Sequence, residues 1–173
     1  MATQLSLLDR VQLGERALFV RCVDHTSARR LWRFAWKSIT HLGGVTCSVA
    51  AALLPLFFAS PDVRDAARHA LAALIVSHVI VQIVKRTVTR PRPSRRELTE
   101  AFVVEPDRFS FPSGHACAAM AVCFAYAQAY PTLSVPLVSI AAAIGASRVF
   151  LGVHYPGDVA IGQLIAVLTA LLV

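Results

Sequence analysis

The chain has 173 residues, 56% of them hydrophobic and 16% charged, with a formal net charge of +7. Soluble domains run at about 45–50% apolar and about 25% charged, so this balance excludes a disordered segment and a disulfide scaffold and argues against an ordinary cytosolic enzyme. A single-domain protein of the membrane is the class that remains.

Residues 1–37 carry ten formal charges among apolar residues such as Leu5, Leu8, Val11, Leu13, Leu18 and Phe19. Those charges are costly to move through hydrocarbon, so the segment is expected to lie along the membrane surface as an amphipathic helix or helix pair. Trp32, Phe34 and Trp36 stand among Arg29, Arg30, Arg33 and Lys37, the mixture of rings and cations that settles at the headgroup boundary. Asp9, Arg10, Glu15 and Arg16 interrupt the first apolar residues, so no cleavable signal core is expected there.

Residues 38–173 are expected to form an all-α transmembrane bundle of about five spans. Ser38 to Pro61 lacks formal charge and is long enough to cross, and its Gly43, Gly44 and Ala50–Ala52 allow close helix contact. A second span runs from about Ala66 to Val84. It carries His78 and Gln82, which need partners inside the bundle and are expected to serve as structural hydrogen-bonding groups. After a polar loop over residues 85–112, Ala116 to Ser147 has no formal charge for 32 residues, with Pro131 and Pro136 marking a turn between two spans. The last span follows Pro156-Gly157 and runs to Val173.

Of the 17 Lys and Arg residues, seven lie in residues 1–37 and seven in residues 85–108. This placement flanks spans rather than lining a duplex groove, and neither cluster contains a recognisable RNA- or DNA-binding motif, so nucleic acid is not an expected partner. Positive-inside reasoning puts residues 1–37 in the cytoplasm, and pairs of crossings return the 85–112 loop and the Arg148–Asp158 segment to the same face. Cys22, Cys47, Cys117 and Cys123 show no metal-binding spacing.

Three polar segments therefore meet at one membrane face. The first holds Lys85 and Arg92, the chain being extended by Pro91 and Pro93. The second is Pro112-Ser113-Gly114-His115 at a helix start, where backbone N–H groups are free and glycine admits an anion, although Ser113 also reads as a plain N-cap. The third runs from Ser147-Arg148 to His154 and Asp158. Asp158 is either a helix cap or the group that holds the His154 imidazole in one tautomer. Three cations, helix-start amides, two imidazoles and a carboxylate suit the oxygens of a phosphoryl group. They suit a divalent metal poorly, because Lys85, Arg92 and Arg148 would repel it, so no metal or other cofactor is expected.

The order Lys-x6-Arg-Pro, Pro-Ser-Gly-His, Ser-Arg-x5-His-x3-Asp resembles the three-part signature of the type 2 phosphatidic acid phosphatase superfamily. That group includes lipid phosphate phosphatases, undecaprenyl-diphosphatases, phosphatidylglycerophosphatases and vanadium-dependent haloperoxidases. The resemblance implies a metal-independent membrane phosphatase in which His154 attacks phosphorus to form a phosphohistidine. Asp158 would orient His154, and His115 would protonate the leaving group and then activate water. Lys85, Arg92, Arg148, Ser113 and Gly114 would bind the phosphate. The implied partners are a lipid phosphate substrate and membrane lipids, with phosphatidate, phosphatidylglycerophosphate and polyprenyl phosphates, diphosphates or sugar phosphates all open. The expected location is the inner, or plasma, membrane with a cytoplasm-facing site; oligomeric state is open. A haloperoxidase-like enzyme and a non-catalytic lipid-phosphate-binding protein are the alternatives.

Overall fold

The computed structural model describes residues 7–94, 101–105 and 107–173, with side chains from residue 12 onward. Leu5, Leu8 and Val11 of the amphipathic pattern thus lie outside the residues or side chains described. Eight α-helices follow in chain order among the described residues: α1 (Leu7–Ser27), α2 (Arg30–Leu42), α3 (Val45–Leu53), α4 (Pro55–Phe58), α5 (Pro61–Val88), α6 (Gly114–Ala129), α7 (Ser134–Phe150) and α8 (Pro156–Leu172). No strand occurs among these residues, and the protein is an all-α integral membrane bundle.

Helix α5 opens with Pro61 in its first turn, where the missing N–H costs nothing, and Asp62 complements the positive end of the helix dipole. From Asp62 to Val88 it contains no glycine or proline, and the chain then turns left-handed at Thr89 (φ 47°), just ahead of Pro91. A β-branched residue rarely adopts that conformation. Here it ends the helix and sends Arg90–Pro93 back across the bundle. The turn expected at Pro131 appears as a 3-10 turn over Pro131–Leu133, with Pro136 accommodated in the first turn of α7.

Helix α5 and the Pro131–Phe150 segment are long and apolar enough to cross a membrane, and α2 with α3–α4 passes the same test as a pair bent by 43°. The uncharged stretch beginning at Ser38 is thus not one straight helix. It begins within α2, which starts at Arg30, and breaks at Gly43-Gly44. Helices α6 and α8, with 16 and 17 residues, are shorter than a full span; at 1.5 Å per residue each rises only about 24–26 Å against about 30 Å of hydrocarbon.

Helix α6 is the axis of the bundle, packing against α5, α7 and α8. Its Ala116, Ala118, Ala119, Ala121, Ala125 and Ala127 are buried with Cys117, Met120 and Val122, and with Ala73, Val81, Ala141, Ile144, Ala166 and Ala170 they make most of the core. Small side chains let the backbones approach closely where apolar burial provides little drive. Interhelical hydrogen bonds add registration: Tyr126 Oη donates to the Ala51 carbonyl at 2.9 Å and Gln163 Nε2 to the Ala141 carbonyl at 3.0 Å. Large apolar residues such as Phe57, Ile83, Val135, Leu164 and Leu171 face outward, as lipid contact requires.

Candidate active site

The site forms where α5 ends, α6 begins and the α7–α8 loop crosses between them. Lys85 stands in the last turn of α5, and the extended Arg90–Pro93 stretch pairs with residues 107–110 through the Ser110 N–H to Arg90 carbonyl bond of 2.8 Å. This pairing carries Arg92 inward until it is fully buried. Gly152, at φ 79°, makes the turn after α7, and the Val153 and His154 amides close onto the Arg148 carbonyl at 3.1 and 3.2 Å. His154 and Arg148 are thereby fixed to one short turn.

Lys85, Arg92, Gly114, His115 and His154 all line one cavity of about 720 Å³ between α3, α5 and α6. Arg92 donates through one guanidinium nitrogen to His154 Nε2 at 3.1 Å and to the Val153 carbonyl at 2.9 Å. A guanidinium only donates, so Nε2 carries the lone pair and the imidazole proton lies on Nδ1. That nitrogen faces Asp158 Oδ2 at 3.6 Å, an ion-pair distance slightly long for a hydrogen bond. Burial pushes the His154 pKa down to about 4; Asp158 opposes that shift, and the charges of Arg92 and Arg148 reinforce it. His154 is therefore a neutral imidazole at neutral pH.

Asp158 caps α8 and pairs with Arg90. Its Oδ2 accepts the Tyr155 amide at 2.9 Å while Oδ1 accepts Arg90 at 2.7 Å. Ser113 is the residue before α6, yet its hydroxyl makes no cap bond and is buried without a partner among the described residues. Its backbone N–H, expected in the anion cradle, is instead donated to the Asp158 carbonyl at 2.9 Å. Helix α8 packs directly on this point, since a Cβ at Gly162 would meet the Ser113 carbonyl at 2.6 Å. Arg148 is buried beside the same cluster, with one guanidinium nitrogen on Thr40 Oγ1 at 2.7 Å and its Nε without a partner among the described residues.

Three further residues join the site without having been singled out in the sequence. Asp107 bridges the two cations, accepting from Lys85 at 2.6 Å and Arg92 at 2.9 Å. Burial alone would raise its pKa, but these two partners outweigh it and hold the carboxyl below the usual range. Arg90 stacks on Tyr155 at 4.2 Å and joins Asp158 to Glu15 of α1, 2.7 Å away, while the other Glu15 oxygen accepts the Gly157 amide at 2.7 Å. Arg90 had a signal in its place between the motif residues Lys85 and Arg92; Asp107 and Glu15 had none, being acidic residues in polar surroundings.

Buried cations, an unprotonated imidazole nitrogen and an apolar cavity define a membrane enzyme that hydrolyses phosphate esters. A family model described as the PAP2 superfamily matches residues 66–173, and the chain belongs to that superfamily. Decaprenylphosphoryl-5-phosphoribose phosphatase of Mycolicibacterium smegmatis is 36% identical over 141 residues, covering 79% of this chain and 70% of that protein. The crystal structure of the first transmembrane PAP2-type phosphatidylglycerolphosphate phosphatase, from Bacillus subtilis, superposes with a TM-score of 0.71 at 26% identity, covering 95% of this chain and 84% of that one. Aquifex aeolicus LpxE shares the fold with a TM-score of 0.77 at 22% identity, over 90% of this chain and 92% of that one.

Proposed function

We propose that this protein removes the terminal phosphate of a polyprenyl-linked sugar phosphate through a phosphohistidine formed on His154. The observation that carries the mechanism is the His154 imidazole, with Asp158 on its Nδ1 side and an Nε2 lone pair within 3.1 Å of Arg92 in the cavity that also holds Lys85. In the first step Nε2 attacks phosphorus, the bond to the leaving oxygen breaks, and His115 gives that oxygen its proton. In the second step His115 takes a proton from water, the water oxygen bonds to phosphorus, and the N–P bond breaks to release phosphate. Lys85, Arg92 and Arg148 hold the phosphoryl oxygens with the Ser113 hydroxyl and the Gly114 backbone, supplying fixed positive charge in place of a metal ion. The sugar-linked substrate is supported by the 36% identity to a phosphatase named for decaprenylphosphoryl-5-phosphoribose. Span parity and the basic amino segment support a site facing the cytoplasm.

The test is phosphate release by purified protein in EDTA from a panel of lipid phosphates, beside His154→Ala. Wild type is expected to turn over in EDTA and to leave a 32P-labelled, acid-labile and base-stable adduct when quenched. The variant is expected to bind lipid and release no phosphate. Substantial turnover by the variant removes His154 as nucleophile, and loss of wild-type turnover in EDTA removes metal independence.

A further inference from the structure

The cavity contains polar groups that the phosphoryl chemistry leaves unused. His78, Gln82 and Lys85 recur at i, i+4 and i+7 on α5 and line its same wall. At 1.5 Å per residue, Gln82 lies about 4.5 Å and His78 about 10 Å along the helix axis from Lys85. The facing wall is α3, where a Cβ at Gly44 would stand 4.0 Å from His115 Nε2. Ser48, one turn beyond Gly44, also lines the cavity. It is only 4% exposed, and its hydroxyl has no partner among the described residues.

The expectation that His78 and Gln82 bind structurally across the bundle is not met. Their one side-chain bond among the described residues is to each other, Gln82 Nε2 donating to His78 Nε2 at 3.2 Å. That leaves the imidazole Nδ1–H, a second amide proton and the Ser48 hydroxyl as donors within a surround of Val45, Val49, Leu71, Leu74, Ile75 and Val79. A purely hydrocarbon occupant would leave these groups unpaired, at about 1–3 kcal/mol for each one desolvated. A polar group within a spanning helix marks a functional role by default.

We propose that His78, Gln82 and Ser48 form a second polar subsite for the linker of the substrate, the sugar hydroxyls and phosphodiester between the scissile phosphate and the prenyl chain. The inference rests on the sugar-linked substrate proposed above. All three side chains can donate a hydrogen bond, which suits phosphodiester and hydroxyl oxygens, and the apolar walls receive the chain beyond. A phosphate attached directly to a prenyl chain would set methylene groups against the same donors.

The test compares kcat/KM for a prenyl-phosphoryl-ribose 5-phosphate, the matching prenyl monophosphate and phosphatidate, in wild type and in His78→Phe, Gln82→Leu and Ser48→Ala. Wild type is expected to favour the sugar-linked lipid over the prenyl monophosphate by about tenfold or more, a margin suited to a site built to hydrogen-bond its substrate. Each substitution is expected to reduce that ratio several-fold, chiefly through KM, with turnover of prenyl monophosphate reporting the folded fraction. If wild type prefers the sugar-linked lipid but all three variants keep the ratio, including by losing equally on every lipid, the subsite is overturned and the substrate reading stands. If wild type prefers prenyl monophosphate or phosphatidate, the substrate reading falls and the subsite with it.

Discussion

Arg90 makes ion pairs of 2.7 Å with both Asp158 and Glu15, and the Asp158 side chain is fully buried. Charge-assisted bonds of this length are among the strongest available to side chains, and removing one member leaves a buried carboxylate uncompensated. Arg90→Gln is therefore expected to lower kcat by roughly one to two orders of magnitude, about 1.4 kcal/mol for each tenfold, with KM less affected and partial recovery in Arg90→Lys. Steady-state kinetics on purified protein check this. Asp107 occupies Lys85 and Arg92 donors that the proposed mechanism assigns to the phosphoryl oxygens, so Asp107→Asn is expected to lower the inhibition constant for inorganic phosphate several-fold. The depressed pKa of His154, about 4, means that its 15N resonances should remain those of a neutral imidazole as pH falls from 8 to 5. A transition near 6.5 in histidine-edited NMR would contradict the buried, cation-flanked setting. The motif residues were legible because phosphate-binding types recur there at a fixed spacing. Asp107 and Glu15 were not, since their partners lie 22 and 75 residues away and an isolated acid carries no trace of a distant cation.

Elements translate spacing into convergence. Helix α5 delivers Lys85, α6 starts on the Ser113-Gly114 pair, and α8 begins two residues after His154. Their mutual seating depends on Gly162, where any side chain would strike the Ser113 carbonyl. Gly162→Ala is expected to push α8 off this contact, costing about 1–3 kcal/mol of packing energy and lowering activity together with thermal stability in detergent. Activity and melting assays on the same preparation check it. Sequence patterning located α5, α7 and the proline turn between α6 and α7, because long apolar runs and prolines act locally. The break after Leu42 was not legible: paired glycines permit close packing or a bend equally, and tertiary contact decides which.

Across the whole molecule, the site lies at one end of the bundle and outward-facing apolar side chains surround the rest. The proposed cytoplasmic orientation of that end rests on the basic amino segment and the span order. A single cysteine placed at Ser94→Cys in a cysteine-free background is expected to react with an impermeant maleimide in inside-out vesicles and to resist it in intact spheroplasts. The opposite pattern would reverse the orientation.

Both tryptophans of the chain belong to one aromatic stack: Trp32 lies edge-on to Trp36 at 5.4 Å, and Trp36 lies flat on Phe150 at 4.5 Å. Phe150 is the final residue of α7, immediately ahead of the turn that carries His154. The protein thus contains a built-in optical reporter, whose ultraviolet emission should respond when an oxyanion seats in the cavity, with no dye attached.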